Sequence, residues 1–186
     1  LEITQGAEYS VSISAPEKYK DDVKIEQKGE TLYISLQQDV KYPFDSDDIT
    51  IHITMPYITK MNLAGATEAC FIGQFEAPQF TAHLSGSSEI EDLAIVADEV
   101  SLEASGASEL SGTIQAKRAM ANLTGASKLD LIVNQLSQMA MQLSGSSSSE
   151  LKGAITNLQA TLSGASEIDG EELAVSDLSL IHISEP

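Results

Sequence analysis

Glutamate recurs at one position of the sequence, three residues after the glycine of a small-residue motif. This position holds Glu68, Glu89 and Glu109, and further along the chain Lys128 and Glu167. If equivalent positions stack in the fold, their side chains lie about 5 Å apart. Such a column offers binding to a row of cations or to a basic partner. The simpler interpretation is a solvated acidic edge that keeps the chain soluble.

Other side chains able to do chemistry are scattered. Cys70 has no paired histidine or base nearby, so we predict a buried or half-buried thiol and not a nucleophile. The histidines lie far apart in unlike contexts, which favours structural roles at the surface over metal binding. They are His52, His83 and His182.

Two further groups carry charge without the spacing of a known site. Arg118 is the one arginine and follows Lys117 in a predicted turn, where a solvated loop is the favoured interpretation. A cluster of aspartates could offer oxygen ligands to calcium but lacks EF-hand spacing, so we interpret it as an Asp-rich turn. It consists of Asp45, Asp47 and Asp48. We therefore expect no catalytic residue, no metal site and no cofactor.

The glutamates belong to a sequence repeat of about 20 residues, which sets their spacing. Small-residue motifs such as Ser105-Gly106-Ala107-Ser108 recur with glycine-to-glycine spacings of 21, 20, 19, 20 and 19 residues. Their glycines are Gly65, Gly86, Gly106, Gly125, Gly145 and Gly164. Two, four and six residues before each glycine the side chains are almost all apolar, and the first repeat gives Thr59, Met61 and Leu63 there. This alternation is typical of a strand with one buried face.

Coils of about 20 residues predict an all-β chain folded as a parallel β-helix, a solenoid in which like positions pair with like. Each glycine would sit at a tight corner, and the flanking hydroxyls would bond backbone groups there. Leucine-rich repeats share the period, but their leucine and asparagine pattern is absent. An up-and-down antiparallel sheet would need Asn-Gly or Asp-Gly turns about every ten residues, which the array lacks.

We expect three regions along the chain. Residues 1–58 form irregular β coils that cap the array, with a hairpin turn at Gly29-Glu30 and a loop from Lys41 to Asp48. Residues 59–177 form the repeat β-helix. Residues 178–186, when translated back into codons, resemble the transposase-end adapter of sequencing libraries, so we expect a non-native tail. The natural protein would then continue with another coil or a cap.

Composition excludes several classes of function. The formal net charge of −18 argues against nucleic acid as a partner, since phosphate neutralisation needs many Lys and Arg residues. No apolar run approaches the roughly 20 residues that span a bilayer. A single cysteine excludes an intrachain disulfide.

The ordered motifs resemble a bacterial family called putative auto-transporter adhesin, head GIN domain. The resemblance rests on Ile3-Thr4-Gln5-Gly6, on the strand from Gly29 to Ile34, on Ile51 to Pro56, and on the Ser-Gly-Ala-Ser corners. It implies a right-handed parallel β-helix with tight glycine corners. It also implies adhesion at the surface of Gram-negative bacteria, and hence an extracytoplasmic location at the cell surface, the outer membrane or the periplasm.

Our main hypothesis is a non-enzymatic, adhesin-like β-helix that binds a glycan or a protein through its faces and through the edge of Glu68, Glu89 and Glu109. Oligomers are compatible with it. The alternatives are a carbohydrate-active lyase or hydrolase and an envelope scaffold without a ligand. A groove lined by several acids with a base on adjacent coils would favour the enzyme. A flat surface of Ser, Thr and Gln would favour the adhesin.

Overall fold

A computed structural model describes residues 1–36 and 49–183. The predicted loop from Lys41 to Asp48, with its three aspartates, lies outside the described residues. Fourteen strands and one 3-10 helix make up the described chain. In chain order they are β1 Glu2–Gln5, β2 Ser10–Ser14, the 3-10 helix Glu17–Asp22, β3 Val23–Lys28, β4 Thr31–Leu36, β5 Thr50–Met55, β6 Lys60–Leu63, β7 Glu68–Ile72, β8 Phe75–Leu84, β9 Glu89–Ala104, β10 Glu109–Leu123, β11 Lys128–Leu143, β12 Ser148–Ser163, β13 Glu167–Asp169 and β14 Leu173–Ile183.

The strands form a parallel β-solenoid of about six coils of roughly 20 residues, as predicted. Strands β9, β10, β11 and β12 each supply most of one coil and pair in parallel with the next. Leu110, for example, lies beside Ile90 on one side and Leu129 on the other. Equivalent residues of successive repeats therefore stack in columns along the solenoid.

The core follows the predicted alternation. In the repeats from Gly86 to Gly164, the residues two, four and six positions before the corner glycine are buried, with exposures of at most 7%. The first repeat departs from this pattern, because Thr59 is exposed and Ile58 is buried instead. Strand β6 begins only at Lys60, so Thr59 precedes the stretch in which side chains alternate between the two faces.

The six corner glycines have φ between +71° and +82°, a conformation that favours glycine. A buried serine follows most corners by two residues, and its hydroxyl donates a hydrogen bond of 2.5–3.1 Å to the carbonyl three residues earlier. These residues are Ser88, Ser108, Ser127, Ser147 and Ser166. The predicted hydroxyl caps are therefore present, and they satisfy carbonyls that each turn would otherwise leave unpaired.

The N-terminal residues mix parallel and antiparallel pairing. Strand β1 lies between β5 and β7 and is parallel to both. Strand β2 pairs antiparallel with β5. Strands β3 and β4 form the predicted hairpin, in which Lys28 pairs with Thr31 across a turn of Gly29 and Glu30. That this region caps the array remains a prediction.

Strand β14 is the last described coil, and it pairs in parallel with β12. Leu178 lies in register with Leu158, but Leu178 is 61% exposed where Leu158 is 5% exposed. Residues of the predicted tail therefore continue the solenoid in register. This pairing follows from their apolar alternation and does not test their origin, so the non-native tail remains a prediction.

Candidate functional site

The glutamates that the sequence singled out lie side by side. Glu68 pairs in register with Glu89, and Glu89 with Glu109. Lys128 continues the column beyond Glu109, and Ser148 and Glu167 follow it. The expected stacking is thus present, because each residue sits at the same distance from a stacked corner glycine. Whether the column binds anything remains a prediction.

A second column of acids runs beside the first, and the sequence reasoning missed it. It lies five residues after each corner glycine, and it could have been found by extending the same comparison by two residues. Glu150, which is displaced by two residues from the first column, belongs here. The column consists of Cys70, Glu91, Ser111, Asp130, Glu150 and Asp169, and a register irregularity interrupts the pairing between Glu91 and Ser111. We call Glu68, Glu89, Glu109, Glu91, Asp130 and Glu150 the acidic face.

The carboxylates of the acidic face repel one another around Glu89, and Lys128 neutralises part of the charge. Partial burial, followed by the charges of Glu91, Glu109 and Glu68, raises the pKa of Glu89. Lys128 offsets this repulsion locally by donating hydrogen bonds to Glu109 at 2.9 Å and to Asp130. These two bonds raise the pKa of Lys128, which stays protonated. The negative potential is therefore concentrated on the Glu68 side of Glu109.

A groove of about 410 Å³ adjoins the second column. It lies where Asp92 adopts a φ of +55°, which shifts the register of β9 against β10. Gly112 lines it too, and a β-carbon there would collide with the carbonyl of Leu93 at 2.2 Å. The polar side chains of the lining are Asp92, Ser111, Thr113, Asp130, Glu150 and Lys152. One oxygen of Asp130, Oδ1, is buried without a hydrogen-bond partner.

A groove lined by several acids and a base on adjacent coils is the feature expected of an enzyme. This groove shows it in part, because Lys152 lies among several acids. Lys152, however, forms ion pairs with Glu150 at 2.9 Å and with Glu172 at 3.8 Å. The hydrogen bond to Glu150 raises the pKa of Lys152, so its ammonium stays protonated. A protonated lysine cannot abstract a proton, whereas a lyase needs a base that can. Lys152 is therefore a fixed cation in the groove, and a base there would have to be one of the carboxylates.

The remaining residues singled out by sequence form isolated pairs on the surface. His52 bonds to Glu2 at 2.7 Å, and His83 bonds to Glu103 at 2.8 Å. His182 lies on β14, away from both. Over residues 1–36 and 49–183, no three His, Cys, Asp or Glu side chains are grouped so that they could hold a metal ion.

The turn predicted around Lys117 and Arg118 is wrong, because both residues lie within β10. The register of β10 against β11 shifts between Gln115 and Arg118, but the strand continues through both residues. Lys117 pairs there with Asp98 at 2.7 Å, and Arg118 pairs with Glu99.

The thiol of Cys70 is half-buried as predicted, and burial together with nearby Asp92 and Glu91 raises its pKa. A raised pKa keeps the thiol protonated and weakly nucleophilic.

Exposed tyrosines form a feature that the sequence reasoning also missed. Tyr9 and Tyr57 are 67% and 51% exposed, and their rings meet edge to face with centroids 6.5 Å apart. Tyr33 is 52% exposed and lies under the ammonium of Lys28 at 5.4 Å. The available signal was the position of the tyrosines, since all five fall within the first 57 residues.

None of the helical segments within the described residues has the length and hydrophobicity to cross a membrane.

Comparison with known proteins gives one family and a structural likeness. The sequence matches the family model described as "Putative auto-transporter adhesin, head GIN domain" over residues 1–132 and again over residues 109–185. The fold is similar to the crystal structure of a putative adhesin from Bacteroides fragilis, with a TM-score of 0.60 and 13% sequence identity. That likeness covers 98% of this chain and 87% of the other. At this identity it shows the fold alone. No curated protein matches the sequence.

Proposed function

Because the chain belongs to the family of putative auto-transporter adhesins with a head GIN domain, we propose that it is a non-enzymatic adhesin. It acts outside the cytoplasm at the cell surface, where it holds a glycan or a protein by contact along the solenoid. The name of the family and that of the Bacteroides fragilis protein support the adhesive role.

The observation that carries this proposal is the regular polar surface formed by the strand segments before each corner. Two columns of polar residues, three and seven positions before each corner glycine from Gly86 to Gly164, stack there in register on successive coils about 4.8 Å apart. They flank a mixed column that includes Met120 and Ala140. One of these columns consists of His83, Glu103, Asn122, Gln142 and Thr161. Solenoids use extended surfaces of this kind to bind large partners. We call these segments the polar face.

The acidic face adds a second contact surface to the proposal. Glu68, Glu89 and Glu109 crowd three carboxylates into adjacent positions, and Lys128 neutralises only the end next to Glu109. A basic group on a protein partner would relieve the repulsion among these carboxylates, which adds to the effect of partial burial in raising the pKa of Glu89.

A carbohydrate-active enzyme is the second candidate, and the groove beside Asp130 is the observation that favours it. Asp92 lines it from β9, Asp130 from β11 and Glu150 from β12, whereas the coil of β10 contributes Ser111 and Thr113. The protonated state of Lys152 weighs against a lyase. A retaining or inverting hydrolase would need one groove carboxyl to serve as a general acid while the other stays ionised. Substituting Asp130→Asn and Glu150→Gln would separate the two candidates, since only the enzyme loses turnover.

The test is a binding screen with the purified chain against immobilised glycans and extracellular-matrix proteins. We expect saturable binding to at least one member of the array, and no binding after heat unfolding of the chain. Specific antibodies on intact cells of the source bacterium test the location, with staining before permeabilisation as the expected result. Absence of binding across the array, or staining only after permeabilisation, contradicts the proposal.

A further inference from the structure

Charge is distributed unevenly along this chain, and one part of the polar face carries none. Residues 119–166 contain two acids and two bases, whereas the other 138 residues contain 26 acids and 8 bases. The four charged residues form two ion pairs, Lys128 with Asp130 and Lys152 with Glu150, and all of them follow a corner. The segments of β11 and β12 that precede their corners are therefore uncharged.

The uncharged part of the polar face is an array of amides with one hydroxyl and one methyl group. Its side chains point away from the core, because the residues between them, such as Met139 and Leu158, are buried. The array pairs Gln138, Ala140 and Gln142 of β11 in register with Asn157, Gln159 and Thr161 of β12. We call these six residues the amide patch. Its four amides are exposed, and its other two residues are half-buried.

The amides of the patch keep most of their hydrogen-bonding groups free. Over the described residues, Gln138, Gln142 and Gln159 form no side-chain hydrogen bond within the chain, and Asn157 donates only one, at 3.4 Å, to the carbonyl of Ser137. Each amide carries an NH₂ donor and a carbonyl acceptor. The patch can therefore donate and accept hydrogen bonds along both of its strands.

The other part of the polar face, on β8, β9 and β10, uses polar groups within the chain. His83 bonds to Glu103, and Arg118 bonds to Glu99, in each case across adjacent coils. A neutral ligand lying on these four side chains would have to desolvate charges, which costs more free energy than desolvating amides. Contact with an uncharged ligand is therefore most favourable at the amide patch.

The amide patch matches a neutral polymer of hydroxyl groups better than it matches a protein. A hydroxyl group both donates and accepts, so it can bond to either end of an amide. A protein partner, or a second copy of this chain, would need an apolar contact core. The patch contains no large apolar side chain, and Met120 and Ile181 lie only at its borders, beside Ala140 and Thr161. Met120 and Ala140 instead offer a narrow apolar strip to the C–H groups of a sugar ring.

We infer that the amide patch is a binding site for an uncharged polysaccharide, whose hydroxyl groups bond to Gln138, Gln142 and Gln159. The inference rests on the proposed function and adds the class of ligand and its place on the solenoid. Because the patch carries no charge, binding there should depend little on salt, whereas binding of a basic partner to the acidic face should weaken as salt rises.

The test measures binding of the purified chain to immobilised mannan, galactan, β-glucan and chitin oligosaccharides at low and high salt, with polygalacturonate as the acidic comparison. One variant replaces the three glutamines of the patch with alanine, and Ala140→Lys places a long side chain in its middle. Gln115→Ala and Ala154→Lys are the matched controls, because both positions are exposed and lie outside the polar face. Thermal melting checks that each variant folds, and light scattering measures self-association.

We expect saturable binding to at least one uncharged polysaccharide, with a dissociation constant that changes less than about twofold between the two salt concentrations. Binding to polygalacturonate should be weaker. The triple alanine variant and Ala140→Lys should each weaken binding about tenfold or more, while both controls stay within about twofold of the parent chain.

Three results would overturn the inference while leaving the adhesive function standing. One is binding to a matrix protein with no uncharged polysaccharide bound. Another is polysaccharide binding that survives the triple alanine variant and Ala140→Lys, or that the controls weaken equally. The third is self-association that these two variants abolish, which would make the patch a contact between copies of the chain. Absence of binding to polysaccharides and matrix proteins alike would overturn both the inference and the proposed function.

Discussion

The carbonyl oxygen of Gly86 occupies the space that a side chain on Gly106 would need. A β-carbon built on Gly106 would lie 2.4 Å from this oxygen, and the same carbonyl accepts a 2.7 Å hydrogen bond from the backbone of Ala107. Glycine is therefore required at such a corner for two reasons: its φ is positive, and successive coils approach each other too closely for a side chain. The first corner differs, because a β-carbon on Gly65 would meet nothing within 4 Å.

Gly65 and Gly106 consequently form a matched pair for mutation. Gly65→Ala should lower the free energy of unfolding by about 1–2 kcal/mol through backbone strain alone. Gly106→Ala adds a collision with Gly86 and should cost about 3 kcal/mol or more. Urea or thermal unfolding of the two variants measures the difference. Equal losses would show that the collision does not govern the stacking of coils.

Glu89→Gln should stabilise the chain at neutral pH. The folded-state pKa of Glu89 is raised, so its ionised carboxylate destabilises the fold above that pKa, and the cost vanishes as the pH falls through it toward the ordinary range. We expect the variant to melt about 1–3 °C higher at pH 7.5, with a smaller gain at pH 5. Glu76→Gln, outside the acidic face, is the control. A gain that grew toward low pH would contradict this explanation.

Lys128→Met should destabilise the chain, because Glu109 and Asp130 lose the cation between them. We expect a loss of about 0.5–1 kcal/mol at low salt that shrinks in high salt, as screening weakens both the pairs and the repulsion left behind. Lys117→Met removes a single, more exposed pair with Asp98 and should cost less. Chemical unfolding at two salt concentrations provides the comparison, and an effect independent of salt would count against the electrostatic origin.

The chain should not cleave polysaccharides. Lys152 in the groove is held as a cation by Glu150 and Glu172, so it cannot supply the base that a lyase reaction needs. Reducing-end and unsaturated-product assays on neutral and acidic polymers should show no turnover above a buffer control. Turnover that Asp130→Asn or Glu150→Gln abolishes would assign the groove to an enzyme.

The sequence predicted the repeat part of the fold because the same constraint acts on every coil. Stacked coils require a glycine where successive backbones approach closely, and they require apolar side chains at alternate positions before it. The same pattern therefore recurs six times in the sequence. The N-terminal pairing could not be read in this way. Strand β1 lies between β5 and β7, and both pairings join residues about 50 or more positions apart. Local alternation of apolar and polar residues identifies a strand, but it does not specify which other strands pair with it.

The candidate surfaces were predictable to different degrees. The column of Glu68, Glu89 and Glu109 followed directly from its register with the glycines, and the second column was available from the same comparison. The groove depends on the irregularity at Asp92, for which the three-residue step from Ile90 to Leu93 was the sequence signal. The contact between Tyr9 and Tyr57 depends on a long-range antiparallel pairing, which no short pattern specifies.

The central claim is that the chain binds its partner without cleaving it. The most direct test is whether a bound polysaccharide is released unchanged. The purified chain is incubated with a polysaccharide that it binds, the complex is separated, and the released material is analysed by mass spectrometry. An adhesin should bind saturably and return the polysaccharide with its mass and amount unchanged. Shortened or unsaturated products, or a failure to bind any glycan or matrix protein while the chain is folded, would contradict the account.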